Sequence, residues 1–303
     1  MAQYRTRRVP VDGVLLIDKP PDVTSHDVVA RVRRQVRPLV KKVGHAGTLD
    51  PFATGLLVVV VGKATKIARF FVDLPKEYVC TVRFGIASDT GDLTGRLTET
   101  GRSATLAEVE AVLGRFLGRI EQRVPMTSAV KIDGERLYRK AHRGEVVETP
   151  IKEIEITAIE ILSFDEPEQA MRCRIACSKG TYVRQLAIDI GEAVGAGAHL
   201  HSLSRTAVGE LRLEDAQPLD VFESTIADQG GPEGGIAGLL APGRALDFLP
   251  TLDISAAQVA AIRNGARVPG AAPGPVCLSH RGELVAVYEP VDDGRSLKPV
   301  VVF

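Results

Sequence analysis

The run Leu56–Val61 (LLVVVV) constrains the fold of this chain more than any other stretch of its sequence. Four of its six residues are valine, which is β-branched and favours strands. A continuous apolar run of this length, without alternation, is typical of a strand that is covered on both faces. The sequence therefore predicts a fold built around a buried strand.

Other periodic segments predict the elements around this strand. Further strands are predicted at Val11–Asp18, Tyr78–Phe84, Ile154–Phe164 and Met171–Cys177. Helices are predicted after Thr24 and after Thr105, which have the spacing of a capping box, and over the apolar positions from Val183 to Val194. The side chains expected to face inward on the second helix are Leu106, Val109, Leu113, Phe116 and Leu117. Strands and helices do not alternate regularly, which predicts an α+β fold with a mixed sheet.

The chain is predicted to have two domains joined by a linker. Residues 1–230 form the main domain, and residues 231–250, which are rich in Gly and Pro, form the linker. Residues 251–303 form a small β-rich domain with one short helix, beginning at Ser255. A domain of that size has a small core, so we expect it to dock on the main domain.

Composition indicates a soluble protein, and its charge is unevenly distributed. Of its 303 residues, 45% are hydrophobic and 25% are charged, with a net charge of zero. Residues 1–80 hold 14 Lys and Arg against 7 Asp and Glu, whereas residues 210–303 hold 7 against 13. Such a basic front fits either a surface that faces a polyanion or an ordinary solvated surface. No apolar run approaches the roughly 20 residues of a membrane span, and four scattered cysteines do not suggest a disulfide framework. We expect a cytoplasmic monomer with reduced thiols.

Motifs for nucleotide, metal and serine chemistry are missing from the sequence. Gly62-Lys63 lacks both the earlier glycine and the following Ser or Thr of a phosphate-binding loop. His199 and His201 have no further ligand at a usual metal spacing, and there is no G-x-S-x-G elbow. We therefore expect no cofactor and no metal.

One carboxylate lies in an unusually stiff loop, GHAGTLDPFATGLL, at residues 44–57. Glycines at 44, 47 and 55 allow sharp bends or close approach of a ligand, while Pro51 restricts both itself and Asp50. Thr48 can bond locally to the backbone. A stiff loop suits a reactive group that must be held in place, although an Asp-Pro pair is equally typical of a simple turn.

Two further segments contain candidate functional residues. In CSKGTYVRQLAIDIG, residues 177–191, Arg184 lies in the first turn of a predicted helix and off its apolar stripe. It is either a surface residue or the partner of a buried carboxylate. In KEY, residues 76–78, the ring of Tyr78 either packs in the core or lies against a planar ligand.

Together these segments resemble the TruB family of bacterial tRNA pseudouridine synthases, which modify uridine 55 in the T loop. The family pattern includes a GHxGTLDPxAxGxL loop, GxATK, KEY, PMxSAxKxxGxxLY, CSxGTYIRxLxxDxG and GxxAHLxxLRRT. This chain has these motifs in the same order over roughly residues 11–210, among them GKATK at 62–66, PMTSAVKIDGERLY at 125–138 and GAGAHLHSLSRT at 195–206. The resemblance implies a pseudouridine-synthase-type fold, with a largely antiparallel sheet, flanking helices and a C-terminal PUA-like RNA-binding domain.

The resemblance also implies a role for individual residues. Asp50 aligns with the catalytic aspartate, Tyr78 with the tyrosine that stacks on the target uracil, and Arg184 with the arginine that pairs with the aspartate. Positions implied to contact substrate or RNA are His45, Tyr182, Leu203, Lys19, Thr48 and Lys131. The implied partner is the T stem-loop of tRNA. The reaction is an isomerisation by base flipping, followed by cleavage and re-formation of the glycosidic bond, and needs no cofactor.

Three residues depart from the family pattern. Asp22 stands where glycine is usual, Thr127 where an aromatic residue is usual, and Ser204 where the first arginine of LRRT is usual. Other functions also remain open: a non-enzymatic RNA-binding protein, a hydrolase that releases the base, and a guide-dependent relative that acts on another RNA.

Overall fold

The computed structural model describes residues 11–37, 39–128, 130–132, 134–145, 147–291 and 293–303, and only the backbone of Lys131, Arg136 and His142. The strands of these residues are β1 (Gly13–Lys19), β2 (Val43–Ala46), β3 (Thr54–Val61), β4 (Lys76–Phe84), β5 (Ile86–Ser88), β6 (Leu97–Glu99), β7 (Gly118–Arg123), β8 (Lys131–Ile132), β9 (Glu135–Arg136), β10 (Ile151–Asp165), β11 (Ala170–Cys177), β12 (Ala198–Val208), β13 (Leu211–Arg212), β14 (Gln217–Pro218), β15 (Thr251–Asp253), β16 (Val268–Pro269), β17 (Val276–His280), β18 (Glu283–Val291) and β19 (Ser296–Val302).

The α-helices of the same residues are α1 (Ser25–Val36), α2 (Ala68–Asp73), α3 (Leu106–Leu113), α4 (Leu137–His142), α5 (Val183–Val194), α6 (Leu219–Asp228), α7 (Pro242–Ala245) and α8 (Ala256–Arg263). Short 3-10 turns occur at Gly62–Ile67, Gly114–Phe116, Leu213–Asp215 and Pro232–Gly234. The predicted α+β class is confirmed. Within the described ranges, no helix combines the length and the apolar character that a membrane crossing requires.

The chain forms two compact units that do not follow simple sequence blocks. The first comprises Met1–Pro51, Gly55–Val72 and Arg212–Phe303, and the second comprises Phe52–Thr54 and Asp73–Leu211. The predicted linker, residues 231–250, includes the 3-10 turn at Pro232–Gly234 and helix α7. The domain boundaries at 230 and 250 stay a prediction.

The predicted buried strand lies inside the first unit. Strand β3 pairs antiparallel with β1 and β2, and β1 pairs parallel with β14. The six residues from Leu56 to Val61 are all buried, as the apolar run predicts. Side chains from one face of β1 and β3 form a core with the apolar faces of α1 and α6. The predicted cap of α1 is also confirmed, because Thr24 and Asp27 form a capping box.

The C-terminal β-rich segment belongs to this first unit. Its five strands are ordered β15-β17-β18-β19-β16, with α8 packed against them. The sheet contacts the turn at Gly62–Ile67, and Arg69 forms an ion pair with Glu289. Just before this segment, in the predicted linker, the ring of Phe248 makes an edge-to-face contact with the ring of Phe71 at 5.8 Å. The expectation that this segment docks on the main domain is confirmed.

The second unit is an antiparallel sheet in the order β12-β4-β11-β10-β7. Helix α5 packs against β12 and β7, and α3 packs against α5. Cys80 and Cys173 are register partners on β4 and β11, with their Sγ atoms 3.4 Å apart. All four cysteines of the chain are free and buried, and burial raises the pKa of the Cys177 thiol to about 11.

One part of the helix prediction is wrong. Leu106 and Leu117 were expected to face inward around α3, but they are 38% and 46% exposed. The α-helix ends at Leu113, and a 3-10 turn follows at Gly114–Phe116. A 3-10 helix has fewer residues per turn than an α-helix. The 3.6-residue period therefore stops applying before Leu117, and only Val109 and Leu113 of the expected set are buried.

Candidate functional site

Asp50 lies in the middle of the loop that joins β2 to β3, residues 47–53. Gly47 and Gly55 have φ values of 92° and 96°, in the left-handed region where a side chain would be strained. The chain can therefore turn sharply at the start of the loop, before the acid, and again at the start of β3, after it. The side chain of Asp50 is partly exposed, which leaves it accessible to a ligand.

Two buried side chains hold the backbone directly before and after Asp50. Ser25, at the start of α1, donates a hydrogen bond to the Leu49 carbonyl at 3.0 Å and accepts one from the Leu49 amide at 2.9 Å. Lys19, at the end of β1, donates from Nζ to the Pro51 carbonyl at 3.0 Å and to the Pro20 carbonyl at 2.8 Å. The Asp50 Cα is thus anchored from both neighbours by elements of the core.

Lys19 also contributes charge to this loop. Its side chain is fully buried, and burial lowers the pKa of the ammonium to about 8. The carboxylates of Asp22, Asp50 and Asp27 act against that shift. The Lys19 ammonium therefore lies within electrostatic reach of the Asp50 carboxylate. The motif resemblance implies that Lys19 contacts RNA directly. Its contacts here favour a different role, which is to hold the loop in place.

The other predicted residues of this unit lie along the same loop. His45 is half-buried on β2, opposite Val59 of β3, and Thr48 is exposed on the loop itself. Asp22, one of the three departures, has φ 61°. Glycine adopts this conformation without strain, and Asp is among the side chains that tolerate it best. The preference for glycine at this position in the family pattern therefore has a backbone cause.

In the second unit, the sheet brings Tyr78 and Leu203 to one face. Tyr78 on β4 lies opposite Arg205 of β12, and Leu203 lies opposite Cys80, two residues along β4. Side chains at directly paired positions share a face of the sheet. Tyr78 is half-buried, Leu203 is buried and Arg205 is 1% exposed. Arg205 was not identified from the sequence as a candidate, although it is the arginine of the SRT stretch that ends the last motif.

Arg184 is buried at the start of α5 and its guanidinium is held by several acceptors. Nη1 donates to the Asp92 carboxylate at 3.1 Å, to the Thr90 carbonyl at 3.2 Å and to the Thr127 hydroxyl at 2.6 Å. Nη2 donates to the Thr127 carbonyl at 3.1 Å. The sequence left open whether Arg184 is a surface residue or the partner of a buried carboxylate. The ion pair with Asp92 shows that Arg184 is the partner of a buried carboxylate.

Asp92 is the functional candidate that sequence reasoning missed. It is 3% exposed, and one carboxylate oxygen accepts from the Thr90 hydroxyl, the Thr94 hydroxyl and the Thr94 amide. The other oxygen accepts from Arg184. The surrounding residues, SDTGDLTG at 88–95, have the composition of an ordinary loop. Only the paired threonines two residues before and after Asp92 hint that this carboxylate is held.

The start of α5 is fixed by a side chain from another strand. Tyr182 is the N-cap residue and makes no side-chain cap bond. Instead, Gln122 of β7 accepts from the Tyr182 amide at 2.8 Å and donates to its carbonyl at 3.1 Å. Gln122 is 2% exposed, so it orients the first turn of the helix that carries Arg184.

Some predictions stay untested by these contacts. Asp50, His45, Thr48 and Lys19 lie together in the first unit, whereas Tyr78, Arg184, Tyr182 and Leu203 lie in the second. The pairing of Asp50 with Arg184 stays a prediction. So does the role of Lys131, because its side chain lies outside the described residues.

The basic face of α1 is partly engaged within the protein. Arg31 forms an ion pair with Glu223, and Arg33 donates to the Val43 carbonyl at 3.0 Å. Arg34 and Arg37 remain exposed, as do Lys41 and Lys42 just beyond the helix. In the part of the chain that the structure describes, no three His, Cys, Asp or Glu side chains are placed to hold a metal ion. The first unit thus presents an accessible carboxylate at Asp50, and the second unit holds the ring of Tyr78 and the fixed positive charge of Arg184.

Comparisons with known proteins agree with the resemblance in the motifs. The N-terminal domain of TruB family pseudouridylate synthases matches residues 33–183. A tRNA pseudouridine synthase B from Cupriavidus metallidurans is 41% identical over 296 residues, which cover 97% of this chain and 91% of that protein. One of the same name from Geobacillus thermodenitrificans is 42% identical over 311 residues, covering 97% of this chain and 100% of that protein.

Solved structures agree in fold. A chain of an H/ACA RNP bound to a substrate RNA containing 2'-deoxyuridine has a TM-score of 0.72 at 24% identity, over 96% of this chain and 84% of that chain. A chain of a Cbf5-Nop10-Gar1 complex has a TM-score of 0.71 at 28% identity, over 93% of this chain and 79% of that chain. Taken with relatives above 40% identity along nearly its whole length, the chain belongs to the TruB family of pseudouridylate synthases.

Proposed function

We propose that this chain isomerises uridine 55 in the T loop of tRNA to pseudouridine, after flipping the base out of the stack. Membership of the family makes it a pseudouridine-forming isomerase, and the relatives named above carry tRNA in their names. The T loop and the roles of individual residues are proposed from the motifs and from the geometry of the site.

The reaction rearranges one nucleotide without adding or removing atoms. The bond from ribose C1′ to uracil N1 breaks, a bond from C1′ to C5 forms, C5 loses its hydrogen and N1 gains one. Asp50 starts this sequence either by nucleophilic attack or by accepting a proton. Both routes require a carboxylate that is ionised and held in one place.

The anchoring of the Asp50 loop is the observation that supports this proposal most directly. Ser25 fixes the residue before Asp50 and Lys19 fixes the residue after it, both through buried hydrogen bonds. A catalytic group must be held to within about half an ångström of its productive position. A simple Asp-Pro turn has no need of two buried polar side chains for support.

The second unit supplies the proposed walls of the base pocket. Tyr78 is proposed to stack on the flipped uracil and to take part in removal of the C5 proton, with Leu203 and Tyr182 beside it. Arg184 is proposed to supply fixed positive charge to Asp50 in the assembled site. Asp92 does not act as the general acid of a two-carboxylate hydrolase, because Arg184 and three further donors occupy its oxygens.

RNA binding is proposed to involve the exposed basic residues of the first unit. Phosphates can be contacted by Arg34, Arg37, Lys41 and Lys42. His45 is proposed to support the distorted T loop of the tRNA at the place that the flipped base has left. Thr48 and Lys131 are proposed RNA contacts, and the C-terminal sheet is proposed as a PUA-like RNA-binding domain. We further propose a monomer that acts in the cytoplasm, where unmodified tRNA is found.

The proposal is tested by mapping pseudouridine in an unmodified tRNA transcript incubated with the protein alone. We expect modification at position 55 and none in a matched transcript with cytidine there. Free uracil in the supernatant would instead indicate a hydrolase. Tight binding without any modification would indicate a non-enzymatic RNA-binding protein, and modification only with an added guide RNA would indicate the guide-dependent class.

Replacing Lys19 with methionine separates loop support from RNA contact. Met keeps most of the side-chain volume but removes the hydrogen bond to Pro51 and the charge near Asp50. We expect the single-turnover rate to fall about tenfold, with the dissociation constant for tRNA changed less than about twofold.

The matched control for this variant is Lys152→Met, at an exposed position of β10. It is expected to leave both quantities unchanged. A Lys19→Met protein that reacts normally at saturating tRNA but binds it weakly would show that Lys19 contacts RNA instead.

A further inference from the structure

The hydroxyl of Thr127 accepts a hydrogen bond from a buried arginine at a position where the family pattern has an aromatic residue. Arg184 Nη1 donates to Thr127 Oγ1 at 2.6 Å, and Nη2 donates to the Thr127 carbonyl at 3.1 Å. The carbonyl is present whichever residue occupies position 127. The hydroxyl is different, because an aromatic side chain has no oxygen one bond away from Cβ.

The short distance suits a charge-assisted bond. Hydrogen bonds from an ionised donor are shorter and about twice as strong as neutral ones. Arg184 is 4% exposed, so water does not readily replace a lost acceptor. Nη1 has two hydrogens and three acceptors, and the bond to the Thr127 hydroxyl is the shortest of the three, so its loss leaves Nη1 held by Asp92 and Thr90 alone among the acceptors named here.

Thr127 approaches the guanidinium from a different chain segment than the other acceptors. Asp92 and Thr90 belong to the loop after β5, whereas Thr127 follows β7. The Thr127 segment also includes Gln122, which holds the backbone of Tyr182, two residues before Arg184. The Thr127 carbonyl holds Nη2 from this second segment, and the Thr127 hydroxyl extends that support to Nη1, which Asp92 and Thr90 hold from the first segment.

We propose that Thr127 is a positioning residue for Arg184, acting through its hydroxyl. The inference rests on the proposed catalytic role of Arg184. Thr127 itself is proposed to touch neither substrate nor reacting atoms. Its hydroxyl keeps the guanidinium in the orientation in which it supplies charge to the reaction.

The test compares Thr127→Val with Thr127→Ser. Valine keeps the branched shape and removes the acceptor, whereas serine keeps the acceptor. We expect Thr127→Val to lower the single-turnover rate on the T-arm substrate about tenfold, with tRNA affinity changed less than about twofold. Thr127→Ser is expected to stay within about threefold of the parent rate.

The control is Thr157→Val on β10, where an exposed hydroxyl donates only to the Ala176 carbonyl among its described hydrogen bonds. It is expected to react at the parent rate. Circular dichroism and thermal unfolding check that each variant folds, and Thr127→Ala replaces the valine variant should that one not fold. A normal rate in Thr127→Val, or a serine variant as slow as the valine one, overturns the proposal.

A double-mutant cycle shows whether the hydroxyl acts through Arg184. In an Arg184→Lys background, the guanidinium fork is gone, so Thr127→Val is expected to cost less than about twofold further. A full tenfold loss in that background contradicts the proposal. The proposed function fails separately, if the unaltered chain forms no pseudouridine in tRNA or if Arg184 variants are as active as the parent.

Discussion

Replacing Asp50 with asparagine is expected to abolish pseudouridine formation while tRNA binding persists. Asparagine has the same shape but neither attacks as a carboxylate nor accepts a proton. The hydrogen bonds from Ser25 and Lys19 are made to the backbone of Leu49 and Pro51, so the substitution leaves them in place. We expect the single-turnover rate to fall by at least about a thousandfold, with the tRNA dissociation constant changed less than about twofold.

Asp22→Asn is the matched control for this variant. Asp22, like Asp50, acts electrostatically on Lys19, but it is exposed and lies outside the loop. Asparagine also tolerates the left-handed conformation of that position. The control is expected to react at the parent rate. Near-normal turnover by Asp50→Asn would remove Asp50 from the chemistry altogether.

Replacing Arg184 with alanine is expected to have the second-largest effect. The change leaves the buried Asp92 carboxylate without its cation, and loss of one partner from a buried pair costs about 3–5 kcal/mol of stability. It also removes the positive charge that Arg184 is proposed to supply to Asp50. We expect a loss of about a hundredfold or more in single-turnover rate, with only a modest loss of tRNA affinity.

Asp92→Asn tests the same pair from the other side. Asparagine keeps the acceptor oxygen for one donor but removes the negative charge that orients Arg184. A large rate loss with little change in affinity is expected here as well, measured beside the free energy of unfolding in urea. Weak tRNA binding with a normal rate at saturation, in either variant, would instead make Arg184 an RNA-binding residue.

The elements that sequence reasoning predicted well are those set by neighbours along the chain. The box of Thr24 and Asp27 joins residues three apart, and the same spacing recurs at Thr105 and Glu108. The apolar run ending at Val61 likewise predicted a strand covered on both faces. The prediction failed at Leu117, because the 3.6-residue helical period ends at the 3-10 turn that precedes it.

The support of the candidate site was predicted much less well. Arg184 and Asp92 are 92 residues apart in sequence, and Arg184 and Thr127 are 57 apart. Ser25 and Leu49 are 24 apart, and Lys19 and Pro51 are 32 apart. None of these pairs has a spacing that a helix or a strand imposes, so no periodic pattern reveals them.

The sequence alone indicated the family, the longest buried strand, the capped helix starts and the stiff loop that presents Asp50, because motifs and short-range hydrogen bonds depend on neighbouring residues. Only the tertiary structure decided that Asp92 and Thr127 hold Arg184, and that Lys19 and Ser25 hold the Asp50 loop. The physical reason is that the partners of a buried charge lie on loops that strand pairing brings beside it. Which loops these are depends on how the whole chain packs.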